Sequence, residues 1–119
     1  MSLPELDPVI HQPTRLRIMA LLYRNRQASF TWVRDALELT DGNLGSHAAR
    51  LSDARYLESG RVLTPAGFQV RLRLTPAGDA AFTAYLGALK RFIELEMGRP
   101  PPGGEGPERS PPRGEPTPG

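Results

Sequence analysis

A chain of 119 residues with a formal charge of +2 and no cysteine has room for one domain and a tail. It excludes disulfides, thiolate metal sites and thiol catalysis together. The two histidines, His11 and His47, stand far apart with no carboxylate at ligand spacing beside either, so neither a metal nor any other cofactor is expected. No stretch approaches the roughly twenty apolar residues of a membrane span, and the first six residues lack the basic region and apolar run of a signal peptide. A cytoplasmic protein with no membrane partner is expected.

The charge is unevenly placed. Between Gln12 and Thr75 ten arginines face only five acids, Asp35, Glu38, Asp41, Asp53 and Glu58. A basic excess in the compact part of a chain suits a polyanionic partner. Residues Gly98 to Gly119 hold most of the thirteen prolines and half of the twelve glycines. That stretch has nothing to bury in exchange for the entropy of ordering it, so 98–119 is expected to be a disordered tail behind a domain spanning 1–97.

In chain order, Asp7-Pro8 reads as an N-cap and first helical residue, and Pro13 resets the start of a main helix to about Arg24. Leu16, Met19, Ala20 and Tyr23 recur at helical spacing there, with Ile18, Leu21 and Leu22 widening the apolar face. Ala28-Ser29-Phe30 is a short extended connection, and Thr31 can cap a second helix to about Leu39 with Val33, Ala36 and Leu37 inward. A third helix starts at Thr40 and runs to about Arg55 over a buried stripe of Leu44, Ala48 and Leu51, with Asp41 placed to suit the helix dipole. Tyr56 to Leu63 reads as a strand. After a turn at Thr64-Pro65-Ala66-Gly67, the run from Phe68 to Leu74 alternates at period two, with Phe68, Val70, Leu72 and Leu74 on one face.

Thr75 caps the last helix, with Pro76 in its first position, running to about Met97. It carries two apolar stripes: Ala81, Tyr85, Ala88, Phe92 and Leu95, and beside them Phe82, Leu86, Leu89 and Ile93. One can close the chain's own core; the first is assigned to a partner copy. Helix, short strand, helix, helix, hairpin and long helix make an α+β, mainly α, arrangement: a winged helix-turn-helix with a long C-terminal dimerisation helix.

Three stretches carry a family resemblance: Leu6 to Leu22, Leu39 to Leu51 continuing to Tyr56-Leu57-Glu58, and Leu74-Thr75-Pro76-Ala77-Gly78. They resemble the opening helix, the recognition helix with the wing's start, and the wing-to-dimer-helix junction of winged-helix transcriptional regulators of the MarR and ArsR kind. The likeness is greatest to small stand-alone members and covers about three quarters of the chain. It implies a homodimer that binds double-stranded DNA and obstructs transcription as a repressor. Two features depart from it. Gly45 and Ala49 are small for a recognition helix, Gly45 weakening it by about 1 kcal/mol. The wing tip, Leu63 to Phe68, is apolar where relatives carry several basic residues.

With Leu44, Ala48 and Leu51 buried, the third helix presents Asn43, Ser46, His47 and Arg50 outward. Asn can bond adenine, Arg the N7 and O6 of guanine, and Ser or His a base or phosphate. The amides from Thr40 to Asn43 can meet a phosphate. Arg34 on the second helix is a candidate for backbone contact, and Arg61, Arg71 and Arg73 in the wing are candidates for phosphate or minor-groove contact. The plain alternative for each is a solvated surface charge; Asp41 serves the helix dipole, Trp32 packs partly buried, and Tyr85 and Phe92 are dimer or core residues.

Two-fold symmetry would match a pseudopalindromic promoter site. An effector without cysteines or clustered histidines to hold it would be a small molecule at the dimer interface. No carboxylate pair, phosphate loop or nucleophile–base arrangement is present, so no enzyme is expected. The rival from another class is a winged-helix protein–protein interaction module without specific DNA binding, which the apolar wing favours.

Overall fold

A computed structural model describes residues 5–97; the expected tail, 98–119, lies outside the described residues. The order is α1 (Pro13–Asn25), β1 (Gln27–Ser29), α2 (Phe30–Ala36), α3 (Asp41–Asp53), β2 (Leu57–Thr64), β3 (Gly67–Leu74) and α4 (Pro76–Met97). This is a winged helix fold, mainly helical, with one small antiparallel sheet in the order β1-β3-β2.

Side-chain caps set several helix starts. The Gln12 side chain accepts from the amide of Arg15 at 2.8 Å, with Pro13 in the first helical position of α1. Asp7 to His11 precedes it as a single turn rather than a helix: the Asp7 carboxylate accepts from the Val9 amide, and the Asp7 carbonyl from that of His11. For α2 the cap is Ser29, not Thr31; its hydroxyl accepts from the amide of Trp32 at 3.0 Å, placing Thr31 inside the first turn. This helix also stops at Ala36, earlier than its apolar residues suggest, because Glu38 takes a left-handed conformation (φ 57°). The Leu39 amide then returns to the Arg34 carbonyl. Thr40 caps α3 as expected, accepting from the Asn43 amide at 3.0 Å.

The connection expected at Ala28 is a true strand. Gln27, Ala28 and Ser29 pair with Arg73, Leu72 and Arg71 of β3, which makes β3 central. The hairpin of β2 and β3 is in register from Leu57↔Leu74 out to Thr64↔Gly67. Gly67, at φ +114°, supplies the turn with a conformation that residues bearing a side chain rarely adopt.

Every layer contributes to one core: Ile10 ahead of α1, then Ile18, Met19, Leu22, Val33, Leu44, Leu51, Leu57, Leu72, Leu74, Phe82 and Tyr85. The Tyr23 and Phe82 rings meet at 4.9 Å between centroids, joining α1 to α4. The outcome on α4 differs from the two stripes read in the sequence. Phe82, Tyr85 and Ala88 are buried in the chain's own core, whereas Leu86, Ile93 and Met97 are exposed. Tyr85 and Ala88, assigned to a partner copy, are therefore core residues of this chain. At about 100° per residue the buried positions 78, 82, 85 and 88 centre near Tyr85, and 86, 93 and 97 lie roughly 80–120° round from it, just past Phe82. Ala81, Phe92 and Leu95 are half-buried, on the side of the helix that carries Tyr85 and Ala88.

Candidate nucleic-acid interface

Three positions on α3 are fully buried or nearly so, and they clamp its back: Leu44, Ala48 and Leu51. The opposite face is exposed and carries Gly42, Asn43, Ser46, Ala49 and Arg50. Three of the four side chains expected to project from this helix thus stand together in solvent, with the first-turn amides of the Thr40-capped end beside them.

His47 is the fourth, and it is half-buried. The guanidinium of Arg15 on α1 donates to its Nδ1 at 3.3 Å, while Arg15 Nε donates to the Val9 carbonyl at 2.6 Å. Arginine can only donate, so the contact leaves the His47 proton on Nε2. The sequence alone does not single out Arg15. Its only cue there is a charge within a mostly apolar helix; the pairing spans 32 positions and depends on how α1 crosses α3.

The other candidates are dispersed. Arg34 lies between two carboxylates, donating to Asp35 at 2.9 Å and to Asp41 at 2.8 Å. These contacts, that with Asp35 first, raise its pKa above the ordinary value, and they tie α2 to the first turn of α3. Asp41 thus has a second role besides facing the helix dipole. Arg73 is exposed and paired across the hairpin with Glu58. Arg71 is half-buried beside Trp32, Gln69 and Ser29, where α2 meets the sheet. Trp32 itself is 48% exposed, more open than a packing residue. Arg61 lies over the Phe68 ring, its guanidinium carbon 4.5 Å from the centroid.

The wing departs furthest from its pattern. Period-two alternation puts Phe68, Val70, Leu72 and Leu74 on one face, yet only Leu72 and Leu74 are buried. Phe68 and Val70 lie beyond the last pair with β1, Ser29↔Arg71, and line an open groove with Phe30 and Thr31 at the start of α2. Among the described residues no helix is long and apolar enough to cross a membrane.

Residues 14–93 match the family model for a winged helix DNA-binding domain. The chain belongs to that winged-helix family. An uncharacterized protein of Methanocaldococcus jannaschii is 28% identical over 78 residues, covering 66% of this winged-helix chain and 85% of that protein. The structure of a transcriptional regulator homologue from Pyrococcus horikoshii OT3 is similar at a TM-score of 0.70 and 28% identity, over 74% of this chain and 87% of that one. The antimony-specific transcriptional repressor AntR shares the fold at a TM-score of 0.56 and 23% identity, over 74% of each chain. The winged-helix protein is a DNA-binding regulator of transcription and not an enzyme.

Proposed function

We propose that this winged-helix protein is a homodimeric, sequence-specific repressor that reads double-stranded DNA with α3. The observation that carries the reading is the two-sided character of that helix: Leu44, Ala48 and Leu51 fix its back while Asn43, Ser46 and Arg50 stand free. In the major groove Arg50 would bond a guanine edge, Asn43 an adenine and Ser46 a base or phosphate. His47, with its proton on Nε2, would act as a donor. The amides next to Thr40 would meet a phosphate. Arg71 and Arg61 would add backbone contacts, with Arg34 and Arg73 joining them on exchanging a carboxylate for a phosphate.

Dimerisation would use α4, with the exposed Leu86, Ile93 and Met97 on one flank of the buried strip and the half-buried Ala81, Phe92 and Leu95 on the other. It would set two α3 helices one DNA turn apart, about 34–36 Å, on a pseudopalindromic site. A small molecule at that interface is the kind of effector this arrangement admits. The protein would work in the cytoplasm.

Selection of bound duplexes from a random pool tests this directly. A two-fold symmetric motif should emerge, and Arg50→Ala should lose about 1–3 kcal/mol in binding together with the preference at one guanine. Absence of any enriched motif, with Arg50→Ala binding like the wild type, would exclude it. The exposed Leu63 and Phe68 favour a second reading, a protein-interaction module. That reading predicts weak binding to DNA with no sequence preference at any salt concentration.

A further inference from the structure

The outer wing combines features that belong to two different kinds of surface. Beyond the reach of β1 the hairpin continues as the pairs Arg61↔Val70, Val62↔Gln69, Leu63↔Phe68 and Thr64↔Gly67. At about 3.4 Å per residue, that stretch with its turn runs roughly 14–17 Å along the hairpin beyond its last pair with β1. Arg61, Leu63, Phe68 and Val70 share the face that carries Leu57, Leu72 and Leu74 into the core. Here there is no core to enter. Leu63 is 73% exposed and Phe68 66%, and they stand directly opposite each other in the pair next to the turn. Within the patch the Arg61 guanidinium rests on the Phe68 ring, and among the described residues it has no carboxylate partner.

A purely apolar partner would leave this cation desolvated and unpaired. A second copy meeting the same face about a two-fold axis would bring two such cations together. The DNA minor groove meets both requirements for the side chains at the tip: its walls are apolar sugar and its rims are phosphate.

We propose that the wing tip is an apolar wedge for the minor groove: Leu63 and Phe68 press into a base step flanking each half-site, and Arg61 engages the adjoining phosphates. The inference rests on the reading of this protein as a DNA reader and adds to it a mode of recognition. A wedge opens most easily a pyrimidine–purine step, which unstacks at low cost. Sequence preference therefore extends to positions that α3 never touches, and the bound duplex is bent away from the wing.

The test uses the full chain and a duplex taken from the random-pool selection, with 2-aminopurine placed about half a turn outside each half-site centre. Wild-type protein should raise the 2-aminopurine fluorescence several-fold and bend the duplex in a circular-permutation mobility assay. Phe68→Ser, alone and with Leu63→Ser, should lose both effects while still selecting the same core half-site, since these side chains are exposed and circular dichroism melts should be unchanged. Arg61→Gln should lower the slope of log affinity against log salt by about 0.9 per site. A specifically bound duplex that shows neither fluorescence rise nor bend, or a rise that survives in the double variant, would overturn the wedge and leave the DNA reader standing. A double variant that instead changes the sedimentation of the free protein would assign the patch to contact between copies. A pool that yields no enriched duplex would overturn both readings.

Discussion

Gly78 has no room for a methyl group. A β-carbon built there would overlap the Tyr56 carbonyl oxygen and lie 2.9 Å from its carbonyl carbon, and that same oxygen accepts the Thr75 amide at 3.1 Å. The start of α4 is thus seated on the backbone that enters the wing. Gly78→Ala should cost about 2–3 kcal/mol, lowering the melting temperature by roughly 8–24 °C. Gly45 is the opposite case: nothing lies within 4 Å of its missing β-carbon. Gly45→Ala should raise stability by about 1 kcal/mol through helix propensity, and both effects are read by thermal unfolding. The Gly45 penalty was legible in the sequence because it is local. The Gly78 constraint was not, since it comes from a residue on another element. Arg34 and His47 repeat the lesson: their side-chain types pointed outward to DNA, and their partners Asp41 and Arg15 became known only from the fold.

At the scale of elements, the turn from Asp7 to His11 acts as a strap to α4 and to the junction of α3 with β2. Ile10 is fully buried, the His11 Nδ1 and the Tyr85 hydroxyl on α4 are hydrogen-bonded at 2.7 Å, and the Tyr56 hydroxyl donates to the Asp7 carboxylate. The bond to Asp7, helped by burial, pushes the Tyr56 phenol from its ordinary 10 up to about 12. A raised phenol pKa means that the fold favours the neutral form. Its contribution is complete below pH 10 and is lost as pH rises through 12. Tyr56→Phe should therefore cost about 1–2 kcal/mol at neutral pH and flatten the loss of stability across that alkaline window, measured as urea midpoints against pH. Burial also raises the Tyr85 phenol, so a weaker alkaline loss should persist in the variant. Helix periods made α1, α3 and α4 legible to within two residues. The strap was expected to begin a helix, and Pro13 with the Gln12 cap decided otherwise.

The whole molecule leaves a stripe of Leu86, Ile93 and Met97 uncovered along α4. Under the proposed dimer, Leu86→Glu with Ile93→Glu should yield a folded monomer by analytical ultracentrifugation. Its DNA affinity should fall far below that of the dimer, because one α3 cannot hold two half-sites. Unchanged dimer mass in that variant would place the two-fold contact elsewhere. Both apolar stripes of α4 were visible in the sequence, but which of them the chain keeps was not. The choice depends on how Tyr23, Ile10 and His11 approach the helix, and those approaches belong to the packed core.

The wing shows the division most sharply, because Leu-Thr-Pro-Ala-Gly occurs twice, at Leu63 to Gly67 and at Leu74 to Gly78. The sequence by itself determined that each copy interrupts a strand: proline removes an amide, and threonine offers its oxygen to the amides that follow. In the first copy Thr64 Oγ1 accepts from Ala66 and donates to the Gly67 carbonyl, so the chain reverses as a hairpin. In the second, Thr75 Oγ1 accepts from the Gly78 amide and donates to the Arg55 carbonyl, so a helix begins. The flanking periods, alternating after Gly67 and helical after Gly78, distinguish the two copies within the sequence itself. Only the tertiary structure decided what their neighbours do. Leu74 and Gly78 are locked against Tyr56 and the core, while Leu63 and Phe68 extend past the last pairing with β1 and keep their apolar surface free. Alternation specifies a face, but burial requires something on the other side of it.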